Sequence, residues 1–110
     1  MKPMTVFALA ASLLAYPCAR AATGAENWTH HCASCHGEDG VGKTKMGRKV
    51  NAKDLTSAEY QKSFTDEQLL EHLKSGENGP DGKVKMKAYA DTLSADEMKG
   101  LVSFVRALVK

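Results

Sequence analysis

Residues 30–42 read HHCASCHGEDGVG. Two of the chain's three cysteines, Cys32 and Cys35, lie in this stretch three positions apart, and His36 follows the second directly. Three chemistries use such a pair. A structural zinc site needs four ligands, usually from a second Cys or His pair at motif spacing. Here the remaining histidines are His30 and His31, which adjoin Cys32 on one helical stretch with His31 directed away from the pair, and His72, alone in a later helix. A thioredoxin-type dithiol sits at the start of a helix beside a βαβ unit, and no strand alternation accompanies this pair. The third chemistry is covalent attachment of a prosthetic group, and the rest of the chain bears on it.

Working outward, a first helix is expected from about Thr23–Gly24 into Cys32, with Gly24 and Trp28 four apart on one face. Residues 37–54 contain Gly37, Gly40, Gly42 and Gly47 and read as one long loop. A short helix is expected from Ser57 through Tyr60. Thr65 with Gln68 forms a capping-box pattern opening a helix striped by Leu69, Leu70 and Leu73 and stopped by Gly76. Residues 76–93 are again rich in turn residues. Ser94 with Glu97 opens the last helix, whose stripe is Met98, Leu101, Val102, Val105, Leu108 and Val109, widened by Phe104. No strand pattern emerges, so the expected class is all-α.

The N-terminal stretch has the form of a secretory leader. Lys2 supplies a positive start, residues 6–15 form an apolar run too short to span a bilayer, and Ala19-Arg20-Ala21 offers a small-x-small cleavage pattern. The expected division is a signal peptide over residues 1–21 and one small domain over residues 22–110. An uncleaved anchor is weaker because Arg20 is a poor flank. A lipid anchor at Cys18 is weaker because Tyr16-Pro17 precedes it where small residues belong. Without Lys2 and Arg20 the 15 basic residues become 13, equal to the 13 acidic ones, so residues 22–110 are formally neutral. Lys43, Lys45, Arg48, Lys49 and Lys53 form one basic block, and Lys83, Lys85 and Lys87 another. Together they suit either solvated surface or a positive face that steers an acidic partner. Neutrality and the lack of aromatic interleaving argue against nucleic acid.

Cys-x-x-Cys-His is also the attachment signature of c-type haem. Two thiols at this spacing reach the two vinyl groups and form thioethers, which holds His36 beneath the iron as proximal ligand. Anchors and ligand then come from five consecutive residues. Attachment occurs outside the cytoplasm, in agreement with the leader, and a domain of this size commonly needs such a staple.

On Gly24-x-x-x-Trp28-x-x-x-Cys32-x-x-Cys35-His36, and on KMKAYADTLSADEMKGLVSFVRAL (residues 85–108) at the other end, the chain resembles the class I c-type cytochromes. The resemblance covers residues 22–110. It implies three to four helices, with crossing N- and C-terminal helices, around one covalently bound haem c. Gly24 and Trp28 would meet Leu101 and Phe104. It also implies a sixth iron ligand from a methionine, usually in Met-Pro-Ala-Phe/Tyr before the last helix. Met86 stands there, with Lys87 in place of the proline. Met46 lies only ten residues beyond His36, and Met98 falls in an apolar stripe; a packing role for Met86 is the plain alternative. Leu55, Leu69, Leu73, Tyr60 and Tyr89 suit haem packing or ordinary core. His30 and His31 are expected at the surface and His72 partly exposed.

The cofactor-binding residues are thus expected to be Cys32, Cys35, His36 and Met86, with His36 and Met86 on the iron. Such an iron has no open position for a substrate and suits one-electron exchange. The expectation is an electron carrier rather than an enzyme: monomeric, periplasmic, not inserted in a membrane once the leader is removed, and docking on redox proteins with acidic patches. The rival readings are a haem enzyme or gas binder whose sixth ligand is labile, and a redox module held permanently by one oxidoreductase.

Overall fold

The computed structural model describes residues 1–6, 8 and 21–110. Cys18 and most of the expected leader lie outside the described residues.

Helix formation begins where the N-terminal signals predict. Thr23 caps α1 (Gly24–Asn27): its hydroxyl accepts from the Glu26 amide, and the Glu26 carboxylate reaches back to the Thr23 amide. This satisfies two amides that a helix start leaves without partners. The helix does not stop at Cys32 as expected. It widens into a π-helical turn over Trp28–Cys32 and continues as α2 (Ala33–His36). The Ala33 amide donates to the Trp28 carbonyl, five residues back, the mark of a π turn, which often accompanies functional sites.

The expected long loop over 37–54 contains a helix, α3 (Lys45–Val50). Thr44 explains it. Its hydroxyl accepts from the Gly47 amide at 2.9 Å and directs its own proton toward the Ser34 and Cys35 carbonyls, 2.7 and 3.0 Å away. One side chain thus caps the start of α3 and ties it to the end of α2. Asn51, with φ +55°, ends α3 in the left-handed region that Asn tolerates.

The later helices follow their predicted caps: α4 (Ala58–Gln61) from Ser57, α5 (Asp66–Ser75) from Thr65 with Gln68, and α6 (Ala95–Arg106) from Ser94 with Glu97. Gly76 ends α5. Between α5 and α6 the structure corrects the strand-free expectation. β1 (Glu77–Asn78) pairs antiparallel with β2 (Val84–Met86), Glu77 opposite Met86 and Asn78 opposite Val84 with an irregularity between. Two and three residues are too few to show alternation in a sequence. The turn that joins them is closed by Gly79 N–H to Lys83 O (2.8 Å) and Lys83 N–H to Asp81 Oδ1 (3.0 Å).

α1 crosses α6 where side chains are smallest. A Cβ placed on Gly24 would lie 2.6 Å from the Gly100 carbonyl oxygen and 3.3 Å from Phe104 Cβ. The closest approach therefore falls on Gly100, beside the expected contact Leu101. The Trp28 ring packs 5.2 Å from that of Phe104, as the resemblance implies. Asn27, buried at the crossing, donates to the Glu97 carboxylate at 3.0 Å. Behind it the core gathers Trp28, Leu73, Leu93, Met98, Leu101, Val102 and Val105. Full burial of a Leu such as Leu101 contributes about 1.5–3 kcal/mol. Val109, expected in the α6 stripe, lies beyond the helix and is exposed.

α4 is fastened to α6 by polar groups. Buried Gln61 donates from Nε2 to the carbonyls of Leu55 and Val105, each at 2.7 Å. Arg106 answers with donations to the Gln61 and Phe64 carbonyls and to Asp66.

Candidate haem site

The core is not closed. Between α2, α5 and the β1–β2 hairpin lies a cavity of about 510 Å³, within the range of small-molecule and cofactor sites. Cys32, Cys35 and His36 line one wall, and Met86 and Tyr89 line it from the hairpin side of the chain. Leu55, Tyr60, Leu69 and Leu73 also face it, as expected of packing residues. Of the described methionines only Met86 does so: Met46 is half-exposed and Met98 belongs to the core. Lys53, Lys85 and Lys87, drawn from both basic blocks, belong to the lining as well.

His36 is set by the chain path. Its Nδ1 lies 3.3 Å from the Lys53 carbonyl oxygen. A carbonyl has no proton to give, so Nδ1–H donates and the Nε2 lone pair of the neutral ring stays free. Burial holds His36 below its ordinary pKa, against the opposing pull of the Lys53 carbonyl, and nearby His72 lowers it further. The imidazole is therefore neutral near pH 7, the form that binds a metal. Gly42 makes the acceptor available. Its φ is +80°, and a Cβ there would meet the Ala52 and Lys53 carbonyl oxygens at 2.8 and 3.0 Å. The sequence points to a carbonyl acceptor but does not mark which one, because residues 37–54 contain no proline beside which such a carbonyl commonly lies.

Trp28 braces the same wall. Its indole N–H donates to the Gly37 carbonyl at 3.1 Å, and its ring lies 5.8 Å from the His36 ring. Cys32 and Cys35 are free thiols. Burial, then Cys35, pushes the Cys32 thiol up to about 11. A redox dithiol needs the opposite shift, which weighs against the thioredoxin-like reading. No cluster of three or more His, Cys, Asp or Glu suited to a metal ion occurs among the described residues, and a zinc site would require one.

One histidine departs from expectation. His31 is half-buried and lines the cavity, its ring edge-on to Tyr89 at 5.4 Å. His72 lines the cavity too, with Nε2 3.5 Å from Glu77 Oε2. Its partial exposure is as expected. Tyr89 is buried, and burial raises its pKa above the ordinary 10, so its hydroxyl is a donor at neutral pH.

The residues present fit a haem. A single apolar cavity holds the two thiols, a neutral imidazole with a free Nε2, and a thioether. Helices crossing behind a Cys-x-x-Cys-His turn that opens on such a cavity define a c-type cytochrome domain. Comparison with known proteins agrees. Residues 19–105 match the family described as cytochrome c oxidase, cbb3-type, subunit III, and the chain belongs to it. It is a c-type cytochrome, with covalently bound haem c as its cofactor, of the class I kind that its sequence resembles.

Among curated proteins the chain is 36% identical over 88 residues to the Cbb3-type cytochrome c oxidase subunit FixP of Rhizobium etli. It is 31% identical over 88 residues to the subunit FixPc of Rhizobium leguminosarum bv. viciae. These matches cover 80% of this chain and 28% of each relative, so the chain spans little more than a quarter of their length. Among solved structures it is similar to the KustC0563 c-type cytochrome, with TM-score 0.70 and 31% identity over 81% of this chain and 100% of that one. A mutant of that protein gives TM-score 0.67 and 31% identity over 79% and 99%. No helix among the described residues is long and apolar enough to cross a membrane.

Proposed function

We propose that this chain is a mono-haem electron carrier working outside the cytoplasm, with Cys32 and Cys35 as thioether anchors and His36 and Met86 as the axial pair. The observation that carries the reading is that these four side chains, up to fifty-four positions apart, line one apolar cavity. When bound, the haem supplies a one-electron couple, and a thioether ligand favours the reduced state relative to a second histidine. The chain's own residues do the rest. The Lys53 carbonyl orients His36 through its Nδ1 proton. Trp28 and the leucines of α5 and α6 keep water from the interior of the fold. Lys53, Lys85 and Lys87 at the cavity favour brief docking on an acidic surface. With both axial positions taken the site is a carrier, not an enzyme. The leader-like residues 1–21 agree with export to the periplasm, where the domain over residues 22–110 would act as a monomer.

The names of the curated relatives support a second reading, in which the domain relays electrons within an oxidase assembly. The mass of the natively purified protein separates the two: a monomer supports the free carrier, and a stable complex supports the relay.

The test of the haem reading is a redox-difference absorption spectrum together with an intact mass, on protein expressed in a host that matures c-type cytochromes. Low-spin haem bands in both oxidation states, a weak near-infrared sulfur-to-iron band and a mass raised by one haem are expected. A polypeptide-only mass overturns the assignment, and a high-spin ferric spectrum overturns Met86 ligation in favour of a haem enzyme or gas binder.

A further inference from the structure

Tyr89 joins the two walls of the cavity. Its hydroxyl donates to the His31 carbonyl at 3.0 Å, across 58 positions of sequence. His31 belongs to the π-helical turn that leads into the cysteine pair. The Tyr89 amide donates to the Leu73 carbonyl on α5 at 2.9 Å, and its own carbonyl accepts from the Leu93 amide at 2.9 Å. The ring is 7% exposed and packs edge-on against the His31 ring at 5.4 Å. Lys87 Nζ stands 6.0 Å from its centroid. Tyr89 is thus bonded to the motif helix, to α5 and to the approach to α6, and it lies three residues beyond Met86.

The C-terminal end of the segment it holds is anchored by those backbone bonds, by buried Leu93 and by close packing of Met86 and Ala88 on Gly76; the strand pairing is weaker. β2 pairs with only the two residues of β1, through an irregular register. Lys87 occupies the position where a proline would restrict the backbone. A short ladder of this kind opens locally at small free-energy cost.

We infer that Tyr89 is the positioning residue of the distal wall: its hydroxyl latches the Met86 segment to the carbonyl of His31 and keeps the loop from swinging away from the cavity. The latch rests on the reading of Met86 as the iron's sixth ligand only where it concerns ligation; as a tether of residues 84–93 it stands on the hydrogen bond itself. Loss of one side-chain hydrogen bond, with the ring retained, raises the open population of the segment about fivefold.

The test is Tyr89→Phe in the haem-bearing protein, with two readouts. Amide hydrogen exchange should accelerate about fivefold across residues 84–93 and remain unchanged in the buried amides of α6. Imidazole added to the oxidised protein, which competes for the sixth position, should bind about fivefold tighter to Tyr89→Phe. In a Met86→Ala background, Tyr89→Phe should leave imidazole affinity unchanged, because nothing remains for the latch to hold on the iron. Unaltered exchange in residues 84–93 overturns the latch whatever ligates the iron. Faster exchange with unchanged imidazole affinity overturns the positioning role. In that case wild-type protein that already binds imidazole as tightly as Met86→Ala shows the fault to lie with Met86 ligation. Uniformly faster exchange, in α6 as well, would mark Tyr89 as a general core residue and overturn the proposal too.

Discussion

The two walls of the cavity are built on different terms. On the cysteine side, both thiols and the imidazole come from five consecutive residues, Cys32 to His36. This side is braced three times: by Thr44 on the Ser34 and Cys35 carbonyls, by Trp28 on Gly37, and by the Lys53 carbonyl on His36. On the methionine side, one side chain stands at the end of a three-residue strand, held by a small ladder, by packing on Gly76 and by Tyr89. The first wall is over-determined and the second is not. The proposed attachment, which must be irreversible, sits on the more heavily braced wall. The sixth ligand proposed for the iron, Met86, sits on the less heavily braced wall.

Substitutions can break this contrast. The largest effect is expected on the cysteine side: Cys35→Ser should reduce or abolish stable attachment, read as a smaller fraction of protein carrying the haem increment in the intact mass. If haem remained fully attached, the anchors would lie elsewhere. Met86→Ala should leave the mass increment intact while the reduction potential falls and the sixth position opens to imidazole. An unchanged optical spectrum would show that Met86 packs without ligating. Next in size is charge. Lys85→Glu with Lys87→Glu, on the methionine side, should slow reduction by an acidic partner protein about tenfold at low ionic strength, with the rates converging at high salt. A rate independent of ionic strength in the unaltered protein would remove the steering role of both basic blocks.

The smallest effect concerns the crossing behind the cysteine side. The Asn27 side chain, and then the Ser94 amide, hold the Glu97 carboxyl below its ordinary value of 4.5. A group whose folded pKa is lowered contributes stability that is complete above the ordinary value and lost as pH falls through the lowered one. Glu97→Gln should therefore flatten the decline of Tm between about pH 5 and pH 3 while leaving the haem spectrum unaltered. An acid limb as steep as that of the unaltered protein would remove Glu97 as a contributor.

What was readable in the sequence was local. Thr23, Ser57, Thr65 and Ser94 mark helix starts because capping is a local interaction between neighbours in sequence. The cysteine motif is local for the same reason. What escaped depends on approach in space. α3 was hidden because Gly47 and a run of cations give it no apolar stripe; its stability comes from Thr44 reaching back to α2. The hairpin was hidden because its strands are shorter than a period of alternation. His31 was assigned to the surface because nothing nearby in sequence announces Tyr89. Gly100 was passed over because a glycine in an apolar stripe looks like a gap, until Gly24 fills it.

The acceptor for the His36 ring proton has a consequence for inheritance. Because it is a peptide carbonyl, no point substitution at position 53 can delete it. The tilt of the imidazole is stored in the course of the backbone past Gly42. The side chain at position 53 is left free to vary in charge and size without removing the partner of the His36 ring. The site on which that freedom rests is Gly42, where any side chain would push the carbonyl away.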